Sequence, residues 1–271
     1  MAPERQTATM RQVGLGRLLP LGRLEHGTWI TESAACGVLS RATNGLSGIR
    51  VGTMRIRLVD PQAASEPSVP APFTALPPGL LRIEAEFSAP ASQPLPDSAE
   101  GLREALFTAA SERLGLEAGA IDLHVTNLLE NPTPKAGPRP DTTFPPPMPE
   151  PGTPGRSHQG HACIAGQQAS TSTGHRLAAL AAAVPGVSLM PGLAGTPMPR
   201  IGQTSAPSVR ITDSNDPPGR HVQIELATDE THRALDVALS VRTAVATAAT
   251  ADAPGPVTVA ILVTAIEPAK E

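Results

Sequence analysis

Two stretches of this chain, 138 to 141 residues apart, carry the same local signals in the same order, and that repetition constrains the fold more than any other feature. Leu102-Arg-Glu-Ala-Leu-Phe-Thr-Ala-Ala110 echoes Val241-Arg-Thr-Ala-Val-Ala-Thr-Ala-Ala249. Pro77-Pro-Gly-Leu-Leu-Arg-Ile-Glu84 echoes Pro217-Pro-Gly-Arg-His-Val-Gln-Ile-Glu225 with one residue inserted. Ser47-Gly-Ile49 stands where Pro185-Gly-Val187 stands, and Val125 to Glu130 aligns with Val263 to Glu267. A catalytic centre normally converges once. A duplicated unit with no polar cluster common to both copies therefore points to binding or assembly.

Each copy reads β-α-β-β-α-β. In the first, Trp29-Ile30 is a short opening strand. Ala35, Val38, Leu39, Ala42 and Leu46 recur at helical spacing over 31–44, with Thr31 or Ser33 as cap and Asn44-Gly45 as stop. Met54 to Leu58 and Leu81 to Phe87 alternate apolar and charged residues, the pattern of half-buried strands. Asp97 to Arg113 predicts a second helix with Asp97 and Glu100 as a capping box, and Ile121 to Val125 closes the copy. The second copy gives an opening strand at His161 to Ala165, a helix at Ser172 to Ala183, and strands at Val209 to Thr212 and Val222 to Leu226. A helix at Asp229 to Ala249 and a strand at Val257 to Ile266 follow. That last strand is almost wholly apolar and is expected to be covered on both faces.

The expected fold class is α+β: two tandem β-α-β-β-α-β domains of the ferredoxin-like type, each a sheet with both helices on one face. Residues 1–25 form an N-terminal segment, partly disordered, and Gly14-Leu-Gly16 lacks the third glycine of a dinucleotide loop because Leu19 stands in its place. The first repeat spans 26–130 and the second 158–268. Between them, 131–157 holds ten prolines and is expected to be an extended spacer. Phe144-Pro-Pro-Pro-Met-Pro149 within it also has the form of a ligand for an aromatic groove. The loops at 60–80 and 191–207 differ between copies and are where partner specificity is expected.

Composition excludes several classes. A net charge of -4 gives no broad basic footprint for nucleic acid or anionic lipid, and 2% aromatic residues with no Tyr supply no base-stacking platform. Two cysteines, Cys36 and Cys163, are too few for a disulfide framework and fit a reducing compartment. No apolar stretch is long enough to span a membrane, so the expectation is a cytoplasmic protein.

The candidate chemistry is sparse. His158, His161 and Cys163 form H-x-x-H-x-C with His175 beyond, residue types that zinc accepts, but no partner pair lies at metal-ligand spacing and the first copy offers only His26 nearby. The plainer reading is a solvated loop and an opening strand. Cys36, one turn into a helix, reads as a small buried thiol. Glu84 and Glu225, with Arg103 and Arg242, are matched charges that read either as a repeated ion pair or, more commonly, as outward polar faces. Asp213-Ser-Asn-Asp216 reads as a turn, since the downstream glutamate of a calcium loop is missing. The expectation is a non-enzyme with no catalytic, cofactor-binding or metal residues and no cofactor.

Laid out this way, both copies resemble the alkaline shock protein family of the envelope stress response. The resemblance lies in the turns at Ser47-Gly-Ile49 and Pro185-Gly-Val187 and the alternating strands at 81–87 and 222–226. The V-x-x-A-V-x-x-A type helices at 102–110 and 241–249 and the apolar closing strands complete it. The family's Tyr-Gly pair after the alternating strand is missing, replaced by Ser88-Ala-Pro and Ala227-Thr-Asp. The resemblance implies a divergent, actinobacterial-type tandem member: a scaffold or assembly protein of envelope homeostasis acting through protein contacts. Its partner would be a membrane-anchored protein, with self-association, no nucleic acid and a place at the inner face of the membrane. The alternative is a small-molecule or peptide binding module using the cleft of the duplicated domains.

Overall fold

The computed structural model describes residues 16–129, 165–189 and 209–268. The chain folds into α+β structure with two sheets. It begins with β1 (Leu18–Pro20) and β2 (Thr28–Thr31), then α1 (Glu32–Thr43), β3 (Arg50–Leu58), β4 (Leu81–Pro90), α2 (Leu95–Thr108) and β5 (Ala118–Leu129). The second copy supplies α3 (Ala165–Ala182), β6 (Val187–Leu189), β7 (Val209–Asn215), β8 (Pro218–Asp229), α4 (Ala234–Ala249) and β9 (Val257–Glu267).

Local signals place most of these elements. The Thr31 side chain accepts a hydrogen bond from the Ala34 N–H and caps α1, as its position before an apolar-periodic run requires. The second helix starts two residues earlier than the capping box suggests. Pro94 and Pro96 preset its first turn, and Asp97 lies inside it without capping. The helix widens to π geometry over Ala109–Leu114 and ends at Gly115, whose φ is +86°. Asp229 is the last residue of β8 rather than a helix start, and it accepts the Thr231 N–H in a local turn.

The sheets are not ferredoxin-like. In that arrangement the opening strand splits the third and fourth strands. Here β4 pairs directly and in parallel with β5, and β8 does the same with β9. The first sheet is ordered β3-β4-β5; the second is β1-β2-β9-β8-β6, with β7 also on β8. β2 therefore leaves its own copy and pairs in parallel with β9 of the other, through Thr28 on Ile261, Trp29 on Leu262 and Ile30 on Val263.

The copies consequently interlock instead of forming separate packing units at 26–130 and 158–268. Side chains of all four helices and the inner faces of both sheets share one buried cluster. A triad crosses the boundary: Glu230 accepts from Arg41 Nε at 3.0 Å and from Arg113 Nη1 at 2.9 Å. A Cβ added at Gly115 would lie 2.5 Å from Leu235 Cβ, so the turn after α2 meets α4 of the other copy at backbone distance.

The N-terminal segment also departs from expectation, because Leu18, Leu19 and Leu21 are fully buried. Leu18 joins Trp29, Val69, Ala260 and Leu262 in a second cluster on the far face of β9. The residues 59–80 loop, expected to carry specificity, is in part that cover: Val69 is buried in the cluster, and Thr74 and Leu76 exchange backbone hydrogen bonds with Leu18. The apolar β9 is thus covered on both faces, as its composition requires. The 131–157 spacer, the 191–207 loop and residues 161–164 of the strand expected at His161 to Ala165 lie outside the described residues, and Ala165 itself begins α3.

Candidate functional site

Both parallel pairs break register at the same point. On β4 and β5 the shift follows Phe87 on Val125; on β8 and β9 it follows Leu226 on Val263. Val125 is therefore the counterpart of Val263. The same alignment sets Glu86, not Glu84, against Glu225, and the two fates differ: Glu86 is exposed, while Glu225 is 4% exposed beneath the covered face. The Glu84–Arg103 ion pair, the less favoured of the two readings of these charges, does not form. Glu84 lies 3.2 Å from Arg57 Nε, and Arg103 lies 2.5 Å from Glu100.

The edge of β9 is filled by β2. Among the described residues, β5 has a strand neighbour on one side only, β4, so its other edge presents a row of backbone donors and acceptors. It is long, and apolar residues remain in the open along it: Val125 is 45% exposed and Leu128 50%. Beside its first residues lies a groove of about 360 Å³ bounded by Gly119, Ala120 and Ile121 on β5 and by Glu100, Arg103, Glu104 and Phe107 on α2. Phe107 is 52% exposed at the groove wall. The α2 positions follow from amphipathicity: Leu102 and Leu106 turn inward, which leaves 100, 103, 104 and 107 on the outer side. Chemically, the site offers main-chain pairing, an aromatic wall and two carboxylates against one guanidinium.

Of the candidate residues singled out in the sequence, Arg103 lines this groove and the others do not converge on it. His158, His161 and Cys163 lie outside the described residues, and among the described residues no three His, Cys, Asp or Glu side chains come together. Cys36 donates weakly to the Met54 carbonyl at 3.9 Å, and burial, with Glu32 nearby, pushes its thiol up to about 11. It is therefore a protonated thiol at neutral pH. Asp213 is held by Arg220 in a bidentate pair at 2.7 and 2.8 Å, and that hydrogen bonding lowers its pKa. His221, bonded to Thr258 Oγ1 at 2.9 Å, is lowered by burial. No helix among the described residues is long and apolar enough to cross a membrane.

Sequence reasoning missed the β5 edge because nothing local marks it. The signal that was present is compositional: Ile121-Asp-Leu-His-Val125 alternates where Val259-Ala-Ile-Leu-Val263 does not, which already distinguished a half-covered strand from a fully covered one. In comparisons with protein-family models, with curated proteins and with solved structures, nothing matches the chain.

Proposed function

We propose that this chain is a non-catalytic scaffold that works through protein contacts, with the open edge of β5 and the α2 groove as its contact site. The observation that carries the reading is the inequality of two equivalent edges: β9 is closed by β2, and β5 is bordered by exposed Val125, Leu128 and Phe107. Exposed edges invite strand addition, and folds that do not use them usually blunt them with lysine, proline or bulges. β5 contains neither lysine nor proline, and its register shifts, at Gly119 and Thr126, flank a regular stretch over 120–125.

The setting in envelope homeostasis, at the inner face of the membrane through an anchored partner, is part of the same proposal and is supported by the family resemblance of the two copies. A second reading, a peptide or small-molecule binding module, is favoured by the groove itself, whose size falls at the lower end of ligand sites. Affinity capture from cells that make the protein tests the scaffold reading, with the full chain and its Val125→Pro variant as baits. A membrane-anchored protein captured by the full chain and lost with the variant is the expected result. Equal capture by both baits would remove the β5 edge from the function.

A further inference from the structure

We infer that the β5 edge takes up an extended, lysine- or arginine-bearing segment of a partner protein as an added strand parallel to β5, seated against α2. The inference rests on the scaffold reading and specifies its ligand. The template is inside the molecule. On the sister edge, β2 runs parallel to β9 and pairs over Thr28 to Ile30, and the Gly27 carbonyl accepts the Ile261 N–H at 3.0 Å. The equivalence of Val125 with Val263 makes Leu123 the counterpart of Ile261. The N–H groups of Leu123 and Val125 therefore face the edge that no described strand occupies, where an added parallel strand would accept them.

The neighbouring helix gives the side-chain preferences. α4 touches β2, and by the same repeat α2 flanks the β5 edge. Where α4 carries Ala246, α2 carries Phe107, so the added strand meets an aromatic wall and is best served by an aliphatic residue there. Charge decides the rest. Arg103 is engaged with Glu100, and Glu104 makes no ion pair among the described residues, which leaves the groove with excess negative charge. A basic residue at the start of the segment complements it. A second copy is a poorer occupant: a two-fold contact would pair β5 with β5 antiparallel and bring the uncharged end from Thr126 to Leu129 toward the acidic groove.

The test uses the full chain and a fluorescein-labelled peptide, Lys-Gly-Thr-Trp-Ile-Thr, which copies β2 with a lysine at its start. Saturable binding is expected, about tenfold weaker when the lysine is replaced by glutamate, about 1.4 kcal/mol by the usual conversion. Amide exchange should slow at Leu123 and Val125 on binding. Val125→Pro should abolish binding, and the surface variants Glu104→Lys and Phe107→Ala should each weaken it about fivefold or more. The inference is overturned by no binding up to about 1 mM, by equal binding of the glutamate peptide, or by protection appearing on β3 or β7 instead. A dimer that Val125→Pro dissolves would also overturn it, by assigning the edge to a second copy. If the captured partner depends on Val125 while the peptide fails, the scaffold reading stands and this inference alone falls.

Discussion

β9 and β5 hold the same place in the two copies, close the same β-α-β crossover and carry the same register shift, yet one is the centre of the molecule and the other its margin. β9 lies between β2 and β8, with Val259, Ile261 and Val263 in the shared core and Ala260 and Leu262 under the second cluster. β5 has β4 on one side, and its outer face carries His124 in the open. The difference comes from where the opening strand of the first copy went. Among the described residues, the two parallel pairs therefore present different edges: β2 closes that of β9, and β4 alone borders β5.

The largest effect should come from breaking that exchange. Trp29→Ala removes a fully buried indole at the junction of β2, β9 and the 59–80 cover, and should cost about 3–5 kcal/mol of unfolding free energy by urea titration. A cost under about 1 kcal/mol would mean that β2 is a loosely held addition. The matched pair Leu262→Ala and His124→Ala sharpens the contrast, because the two positions are equivalent by register. About 2–5 kcal/mol is expected for the first and about 0.5 kcal/mol or less for the second. Equal costs would contradict the description of β5 as an open strand.

A smaller loss is expected from Glu230→Gln. It leaves Arg41 and Arg113 without their shared carboxylate at the boundary of the copies, but both guanidinium groups are partly solvated. About 1–2 kcal/mol, reduced in high salt, should register as a lower urea midpoint. An unchanged midpoint would show that apolar packing alone locks the copies together.

The pH response separates the sheets more finely. His221 is depressed by burial on the covered face, while its counterpart Arg82 sits on the open face and pairs with Asp122 at 3.1 Å. A base with a lowered folded pKa binds fewer protons when folded than when unfolded. Its contribution is thus full above the ordinary histidine value and is lost as pH falls from about 6.5 through the folded value. Denaturation midpoints should decline over that window, well above the range in which Asp213 and Asp229 titrate, and His221→Gln should flatten the decline. A decline that survives the substitution would place its origin elsewhere.

Much of this was legible in the chain. Periodicity located the helix at 32–43, the end of the helix at 234–249 and the strands at 81–90 and 257–267 to within a few residues, because apolar spacing records which face of an element is covered. The short strand at Leu18–Pro20 was not legible. Three residues carry no period, and the glycines around them read as a loose terminus. The candidate site was legible only as a weakness, the polar interruptions at Asp122 and His124.

The sequence by itself determined the α+β class, the order of the longer helices and strands, the apolar character of β9 and the low aromatic content and slightly negative net charge. Only the tertiary structure decided that β2 pairs with β9, that the cores merge and that, among the described residues, β4 alone pairs with β5. The reason is physical. A four-residue strand such as Thr28–Thr31 can satisfy its backbone on either parallel edge, so its own residues do not choose. The choice is made by what lies around each edge: Trp29 and Ile30 are buried on opposite faces beside β9, and β5 has cover on one face alone.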